Sequence, residues 1–279
     1  MRGFTLIELV VVLAIIAIVT HLAVRELAHL ADAKRTETAD RQIEPVREAV
    51  FPCTVDGAAD GFLSDMGRLP RPTAETNEYR ELRLSLAELW RRPANAKAFA
   101  LRPATAENLK VPDAQRTALT DADVLVPTGW RGPYLRLPLG RDELLDPWGN
   151  PFANPDSAGF NRLTVSNGVI VAVAHGGPSA RDFAAHTRSL IPDGGATSRL
   201  VIGLESVGGA LAAGTSVTYR WYGPADGLIT GDVQTVTYPA QAVFDALTPG
   251  VRILKDSASG LARRLVIRPG DNLVQIRVP

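Results

Sequence analysis

The 279-residue sequence has no excess of charge of one sign and almost no cysteine. Its 30 lysine and arginine residues balance 30 aspartate and glutamate residues, and only 6% of the chain is aromatic. Balanced charge argues against nucleic-acid binding, which relies on a basic excess. The single cysteine, Cys53, excludes an intramolecular disulfide and any metal site built from several cysteines. Apolar residues, at 46%, suffice for a folded core.

The longest apolar run lies in the first two dozen residues. From Phe4 to Val24 the chain runs FTLIELVVVLAIIAIVTHLAV, unbroken and apolar from Leu9 to Val19. As a helix this segment would rise about 31 Å, which matches the roughly 30 Å of a bilayer's hydrocarbon core. A helix with no polar stripe is covered on all sides, by lipid or by other helices.

Two ordinary explanations of this run fit it less well. A cleavable signal peptide needs a small-residue cleavage site directly after the run, but Ala31-Asp32-Ala33 lies far beyond it. A plain membrane anchor leaves Glu8 unexplained, because an isolated carboxylate in lipid costs a few kcal/mol or more.

The first residues carry a specific motif, Gly3-Phe4-Thr5-Leu6-Ile7-Glu8, followed by the apolar stretch. It resembles the class III signal of type IV pilins and type II secretion pseudopilins. The resemblance implies that a prepilin peptidase cuts between Gly3 and Phe4 and methylates the new terminal Phe4. It also implies an assembly role for Glu8, whose buried charge would be neutralised by the Phe4 amine of a neighbouring subunit.

Further motifs narrow the resemblance over roughly residues 1–170. The Asp65-x-Gly67-Arg68-Leu69-Pro70 element, a helical pattern over Tyr79–Arg92 and Gly129–Leu135 stand in that order. Asp146-Pro147-Trp148-Gly149 closes the series. This order is similar to the G-type major pseudopilin of type II secretion. A type IV pilin remains the alternative, although many such pilins close a loop with a disulfide that one cysteine cannot form.

The Asp146–Phe152 segment has the composition of a turn, since Asp-Pro initiates turns and Gly149 supplies a positive φ. We interpret the motif as structural, with the Trp148 indole N–H bonded to backbone. Residues 92–128 are rich in alanine and proline, and we expect a long exposed insertion with one short helix near Asp113–Leu119.

Thr164–Ala174 is predicted to be a strand, followed by a glycine-rich loop where G-type pseudopilins bind calcium. The loop offers only Ser179 and Asp182 as weak calcium candidates, whereas calcium takes six to eight oxygens. We therefore expect no cofactor. His175 and His186 are eleven residues apart, which is not the spacing of a metal-binding pair on a helix. We interpret both as loop histidines.

Residues 195–279 show short alternating runs separated by turn signals, which predicts a small antiparallel sheet or sandwich. A hairpin is predicted at Pro269–Asn272 and a short helix at Val243–Leu247. This unit carries no catalytic constellation and resembles no family known to us. A third interpretation of the chain is a membrane-tethered binding protein that acts through residues 195–279.

The predicted fold class is α+β, with a long N-terminal helix on a small antiparallel sheet and a C-terminal all-β domain. The predicted divisions are a leader at 1–3, the helix at 4–52, a globular domain at 53–190 with an insertion at about 92–128, and the β domain at 195–279. The resemblance implies a non-enzymatic, single-pass inner-membrane protein with its globular part in the periplasm. Implied partners are further copies in a helical filament, other pseudopilins, prepilin peptidase and the assembly platform, without nucleic acid.

Overall fold

A computed structural model describes residues 6–51, 60–76, 82–154, 161–177, 183–191, 195, 197–206, 211–257 and 259–278. Helix α1 begins the chain's described part and is followed by two short helices and a 3-10 turn. Their bounds are α1 (Leu6–Val50), α2 (Phe62–Met66), the 3-10 helix (Ala87–Leu89) and α3 (Asp113–Leu119). The predicted helix at Asp113–Leu119 is thereby confirmed.

The strands of the described residues form five sheets. In chain order they are β1 (Thr73–Thr76), β2 (Leu82–Ser85), β3 (Ala100–Ala104), β4 (Asp121–Thr128), β5 (Ala153–Asn154), β6 (Asn161–Ser166), β7 (Val169–His175), β8 (Thr187–Ser189), β9 (Ser198–Ser206), β10 (Ser216–Ala225), β11 (Leu228–Thr237), β12 (Ala242–Leu247), β13 (Gly250–Asp256), β14 (Ala262–Ile267) and β15 (Gly270–Val278). The sheet orders are β1-β2-β5, β3-β4, β6-β7-β8, β11-β10-β13-β14 and β12-β9-β15. All pairings are antiparallel except β9 with β15.

Helix α1 buries only its C-terminal part. Ala39, Ile43, Val46 and Val50 are fully buried, at the i, i+4, i+7, i+11 spacing that places side chains on one helical face. Ile43, Val46 and Val50 join a core with Phe62 and with residues of β7 such as Ile170. The predicted fold class is confirmed: a long apolar N-terminal helix precedes a β-rich region of several antiparallel sheets.

The last two sheets pack face to face and share one core. It contains Leu200 and Ile202 from β9, Tyr219 from β10 and Phe244 from β12. The predicted hairpin at Pro269–Asn272 is wrong. Strand β14 pairs with β13, whereas β15 pairs in parallel with β9, so the turn carries the chain from one sheet to the other.

The structure replaces two predicted helices largely with strands. In the described part of Tyr79–Arg92, Leu82–Ser85 forms β2, which pairs with β1 and β5, and only Ala87–Leu89 is helical, as the 3-10 helix. The strand pairing overrides helical propensity over Leu82–Ser85. Within Val243–Leu247, β12 has a bulge between Phe244 and Leu247, with Ala246 at φ 59°. The bulge puts two buried residues three apart on one face, which imitates helical spacing.

The single strand predicted at Thr164–Ala174 is a hairpin of β6 and β7. Its turn is Asn167-Gly168, with φ values of 50° and 75°. Positive φ at both central residues is the type I′ geometry that Asn-Gly favours between twisted strands. The turn signal was present in the sequence but was masked by the apolar residues on both sides.

Residues 92–128 are more ordered than the predicted loop. Strands β3 and β4 pair as a hairpin around α3. Val124 and Val126 of β4 pack against Tyr222, Ile229 and Ile253 of the C-terminal sheets. The segment therefore lies against residues 216–256 and contributes to a shared core.

Candidate functional site

The N-terminal part of α1 presents an uncovered apolar surface. Every residue from Leu6 to Leu30 is exposed, with exposed fractions from 45% at Val12 to 81% at Leu6 among the large apolar side chains. By length and composition this helix is able to cross a membrane once. A contiguous apolar surface of this extent needs a cover of lipid or protein.

Glu8 lies in the first turn of α1, where a carboxylate interacts favourably with the positive end of the helix dipole. The sequence-predicted processing residues Gly3 and Phe4 lie outside the described residues, as do the calcium candidates Ser179 and Asp182 and the lone Cys53. Farther along α1, Arg47 pairs with Glu44 at 3.0 Å on the solvated side of the helix. Exposed pairs of this kind contribute only tenths of a kcal/mol.

The Asp65-x-Gly67-Arg68 element joins several parts of the chain. The Asp65 carboxylate accepts hydrogen bonds from Arg131 Nη2 at 2.9 Å and from the Tyr134 hydroxyl at 3.0 Å. Burial raises the pKa of Asp65 to about 6, against the opposing effect of Arg131 and Tyr134. Gly67 ends α2 in the left-handed region, and its N–H donates to the Leu63 carbonyl at 3.0 Å.

Arg68 links the N-terminal core to the C-terminal sheets. Its guanidinium donates to both Glu88 carboxylate oxygens, at 2.8 and 3.0 Å, and to Asp226. Asp226 Oδ2 also forms ion pairs with Arg71 Nη2 at 3.1 Å and with Lys110 Nζ at 3.0 Å. Burial opposes the ionisation of Asp226, but the hydrogen bonds from Arg68 and Lys110 outweigh it and lower its pKa to about 2.

Backbone contacts reinforce this junction. The Asp226 N–H donates to the Met66 carbonyl at 2.9 Å, and the Val251 N–H donates to Ser64 Oγ at 3.2 Å. The Thr128 hydroxyl donates to the Leu228 carbonyl at 2.8 Å. Helix α2 and strand β4 are thus bound to the C-terminal sheets by hydrogen bonds in which main-chain atoms of those sheets take part.

The Asp146–Asn150 segment is a turn organised by its first side chain. Asp146 Oδ1 accepts from the backbone N–H groups of Trp148 at 2.9 Å and Asn150 at 2.8 Å. Gly149 has φ 89°, and its N–H donates to the Asp146 carbonyl at 3.0 Å. Asp-Pro-Trp-Gly suits this geometry because a short acceptor and a positive-φ residue are both required.

The predicted backbone bond of the Trp148 indole is wrong. Its Nε1 is buried with no hydrogen-bond partner among the described residues, and the indole lies beside the His175 ring, 6.0 Å between centroids. Trp130 is the tryptophan that makes such a bond, from Nε1 to the Glu88 carbonyl at 2.8 Å. Trp130 and Tyr134 pack edge to face, 5.8 Å between centroids, against the core.

His175 and His186, interpreted from the sequence as separate loop residues, stack on each other. Their ring centroids are 4.2 Å apart, and the planes of the two rings are nearly parallel. His175 ends β7 and is fully buried, whereas His186 lies in the turn before β8. Burial first, and then the neighbouring His186, lower the pKa of His175, while Asp40 acts in the opposite direction.

Asp40 of α1 faces this pair of histidines. Its carboxylate lies 3.5 Å from His175 Nε2, 3.2 Å from His186 Nδ1 and 3.0 Å from Arg188 Nη2. We call Asp40, His175 and His186 the Asp-His-His cluster. Sequence reasoning missed it because Asp40 and His186 are 146 positions apart and no local spacing links them.

Comparison with known proteins assigns the N-terminus to a class. Residues 1–24 match the prokaryotic N-terminal methylation motif. The motif indicates a type IV pilin-like or pseudopilin subunit, consistent with a single-pass membrane anchor and filament assembly. Both classes share this motif, which covers only the first part of the chain.

Among curated proteins, none matches this sequence. Two solved structures of a pilus-presented adhesin, Spy0125 (Cpa), are similar at 11% identity and a TM-score of 0.24. The first match covers 32% of this chain and 28% of the adhesin, and the second, a mutant form, 31% and 27%. The chain thus spans less than a third of the adhesin's length, and a likeness this low carries no argument.

Proposed function

We propose that this chain is a pseudopilin subunit of a type II secretion-like filament that drives protein export. The observation that carries the proposal is the methylation motif at residues 1–24, joined to a helix whose surface is uncovered from Leu6 to Leu30. In the proposed pathway the precursor resides in the inner membrane with its globular part in the periplasm. Prepilin peptidase then removes residues 1–3.

The exposed part of α1 is the proposed assembly surface. In the membrane, lipid covers its apolar side chains; in the filament, the helices of neighbouring copies replace the lipid. Because lipid is as apolar as these side chains, the exchange depends on close helix packing rather than on the hydrophobic effect. The junction around Arg68 would keep the globular part rigid on the filament surface.

Glu8 is the proposed register device for assembly. A carboxylate inside an apolar bundle costs several kcal/mol unless it is paired. Pairing with the Phe4 amine of the adjacent subunit removes that cost, and it is possible only when the two subunits are shifted along the filament axis by one particular distance. The proposed role requires no catalytic activity in this chain, and the work of assembly would come from a separate ATPase in the assembly platform.

Two sequence features favour a role in a secretion filament over a role in a type IV pilus. The chain has one cysteine, so it cannot form the loop-closing disulfide of many type IV pilins. The Asp146–Gly149 turn resembles that of the G-type pseudopilin. The proposed partners are the other pseudopilins and the assembly platform of the same secretion system.

A gene deletion in the source organism tests the proposal. We expect proteins normally found in the culture supernatant to accumulate in the periplasm, while surface pili and twitching motility persist. Reintroducing the wild-type gene should restore export. Normal export together with loss of surface pili would contradict the proposal and assign the chain to a pilus.

A further inference from the structure

The Asp-His-His cluster brings together three side chains that ligate metals, each from a different element. Asp40 comes from α1, His175 from the end of β7, and His186 from the turn before β8. One ligand atom of each lies within 4.8 Å of the other two. The cluster therefore sits where the assembly helix meets the β6-β7-β8 sheet.

His175 is fully buried, and its polar contact with Asp40 is long. Its Nε2 makes no close hydrogen bond among the described residues and lies 3.5 Å from Asp40 Oδ1. Buried polar groups normally make closer hydrogen bonds. An ion between the two side chains would replace this long contact with two short ligand bonds.

The spacing suits a small tetrahedral ion. Two ligand atoms that each lie about 2.0–2.1 Å from zinc are separated by roughly 3.3 Å in tetrahedral geometry. The observed separations are 3.5 Å from His175 Nε2 to Asp40 Oδ1 and 3.2 Å from His186 Nδ1 to Asp40 Oδ2. The two imidazole rings are stacked and nearly parallel, 4.2 Å between centroids, so one ring must rotate out of the stack before both can point at one ion.

Neighbouring groups orient the Asp40 carboxylate and determine which nitrogen of His175 carries the ring proton. Arg188 Nη2 donates to Asp40 Oδ1 at 3.0 Å, which orients the carboxylate beside the two imidazoles. The Gly177 N–H donates to His175 Nδ1 at 3.2 Å, so in the metal-free chain the ring proton resides on Nε2. Coordination through Nε2 moves that proton to Nδ1 and breaks this long contact.

We propose that Asp40, His175 and His186 bind one divalent first-row transition metal, with zinc the best match. Two imidazoles and one carboxylate suit zinc, whereas calcium and magnesium require mostly oxygen ligands. Three protein ligands leave a fourth position for water. The bound ion would hold α1 against the β6-β7-β8 sheet and stabilise the globular part by an amount that grows with the logarithm of its affinity.

The test uses the full-length protein in detergent, purified without a polyhistidine tag, and zinc chloride as the probe. Zinc is titrated in competition with a chromophoric chelator, and thermal unfolding is followed with and without zinc. We expect one zinc per chain and a higher unfolding temperature. Binding should weaken at least tenfold from pH 7.5 to 5.5, because protonated imidazole cannot ligate, and excess calcium chloride should not displace the zinc.

Matched variants identify the ligands. His186→Gln should lower zinc affinity at least 100-fold, and His29→Gln, on the exposed part of α1, should leave it unchanged. Asp40→Asn, nearly isosteric, provides a second ligand variant if His186→Gln fails to fold. The proposal is overturned if zinc does not bind stoichiometrically at micromolar concentration, or if the ligand variants bind zinc as tightly as the wild type.

Discussion

Gly67 approaches Pro224 so closely that no side chain fits between them. A Cβ built on Gly67 would lie 2.8 Å from the Pro224 carbonyl carbon and closer still to its oxygen. Gly67 also has φ 69°, in the left-handed region that favours glycine. One glycine of the Asp65-x-Gly67 element thus makes possible both the end of α2 and its contact with β10.

Gly67→Ala should therefore destabilise the fold by about 3 kcal/mol or more, the sum of a left-handed alanine and a backbone collision. Thermal unfolding of the purified protein measures the effect. Gly140→Ala is the matched control, because Gly140 has φ 77° but open space around it. The control should lose only about 1–2 kcal/mol. Equal losses in the two variants would show that the approach to Pro224 is not constraining.

Asp226→Asn should weaken the junction in a pH-dependent way. The folded-state pKa of Asp226, about 2, is below its ordinary value of 3.8. The charged form therefore stabilises the fold above about pH 4, by about 2 kcal/mol, and this contribution is lost as the pH falls through about 2. Chemical denaturation of both proteins from pH 6 to pH 3 should show the difference narrowing. Asp245→Asn, at an exposed ion pair, is the control and should change little. A difference that stays constant with pH would refute the ionic explanation.

Asp65→Asn should show the opposite pH dependence. The folded-state pKa of Asp65 is raised to about 6, so the fold favours the protonated form. The wild type should therefore lose up to about 3 kcal/mol relative to Asp65→Asn as the pH rises from 4 to 7. Denaturant unfolding across that range measures the relative change. Parallel stability profiles for the two proteins would contradict the raised pKa.

Glu8→Ala should leave peptidase processing intact and impair filament assembly. The physical reason is the proposed pairing of Glu8 with the Phe4 amine of the next subunit, which alanine cannot form. Sheared filaments from cells expressing each variant can be quantified by immunoblotting. Glu26→Ala, on the exposed part of α1 beyond the apolar run, is the matched control and should assemble normally. Wild-type filament yields from Glu8→Ala would exclude the pairing.

The sequence predicted those elements that depend on local periodicity. Helix α1 follows from its uninterrupted apolar run, and strands such as β9 and β10 follow from alternation between turns. The pairing of these strands within the sheets was less predictable. The parallel pairing of β15 with β9 depends on residues some 70 positions apart, whereas the Pro269–Asn272 turn signal favoured a local hairpin.

The Asp-His-His cluster also depends on contacts between residues far apart in sequence. His175 and His186 are near each other in sequence, yet their relation to Asp40 arises only when α1 packs on β7. Similarly, the bulge at Ala246 gave β12 the spacing of a helix. Motifs carried by consecutive residues, such as Asp146–Gly149, were visible in the sequence because their geometry is local.

The most direct test of the central claim is the intact mass of the protein extracted from its native membrane, with fragmentation of its N-terminus. We expect a chain that begins at Phe4 and carries one added methyl group on that residue. A chain that retains Met1–Gly3, or one that begins near Ala33 as after signal-peptide cleavage, would contradict it.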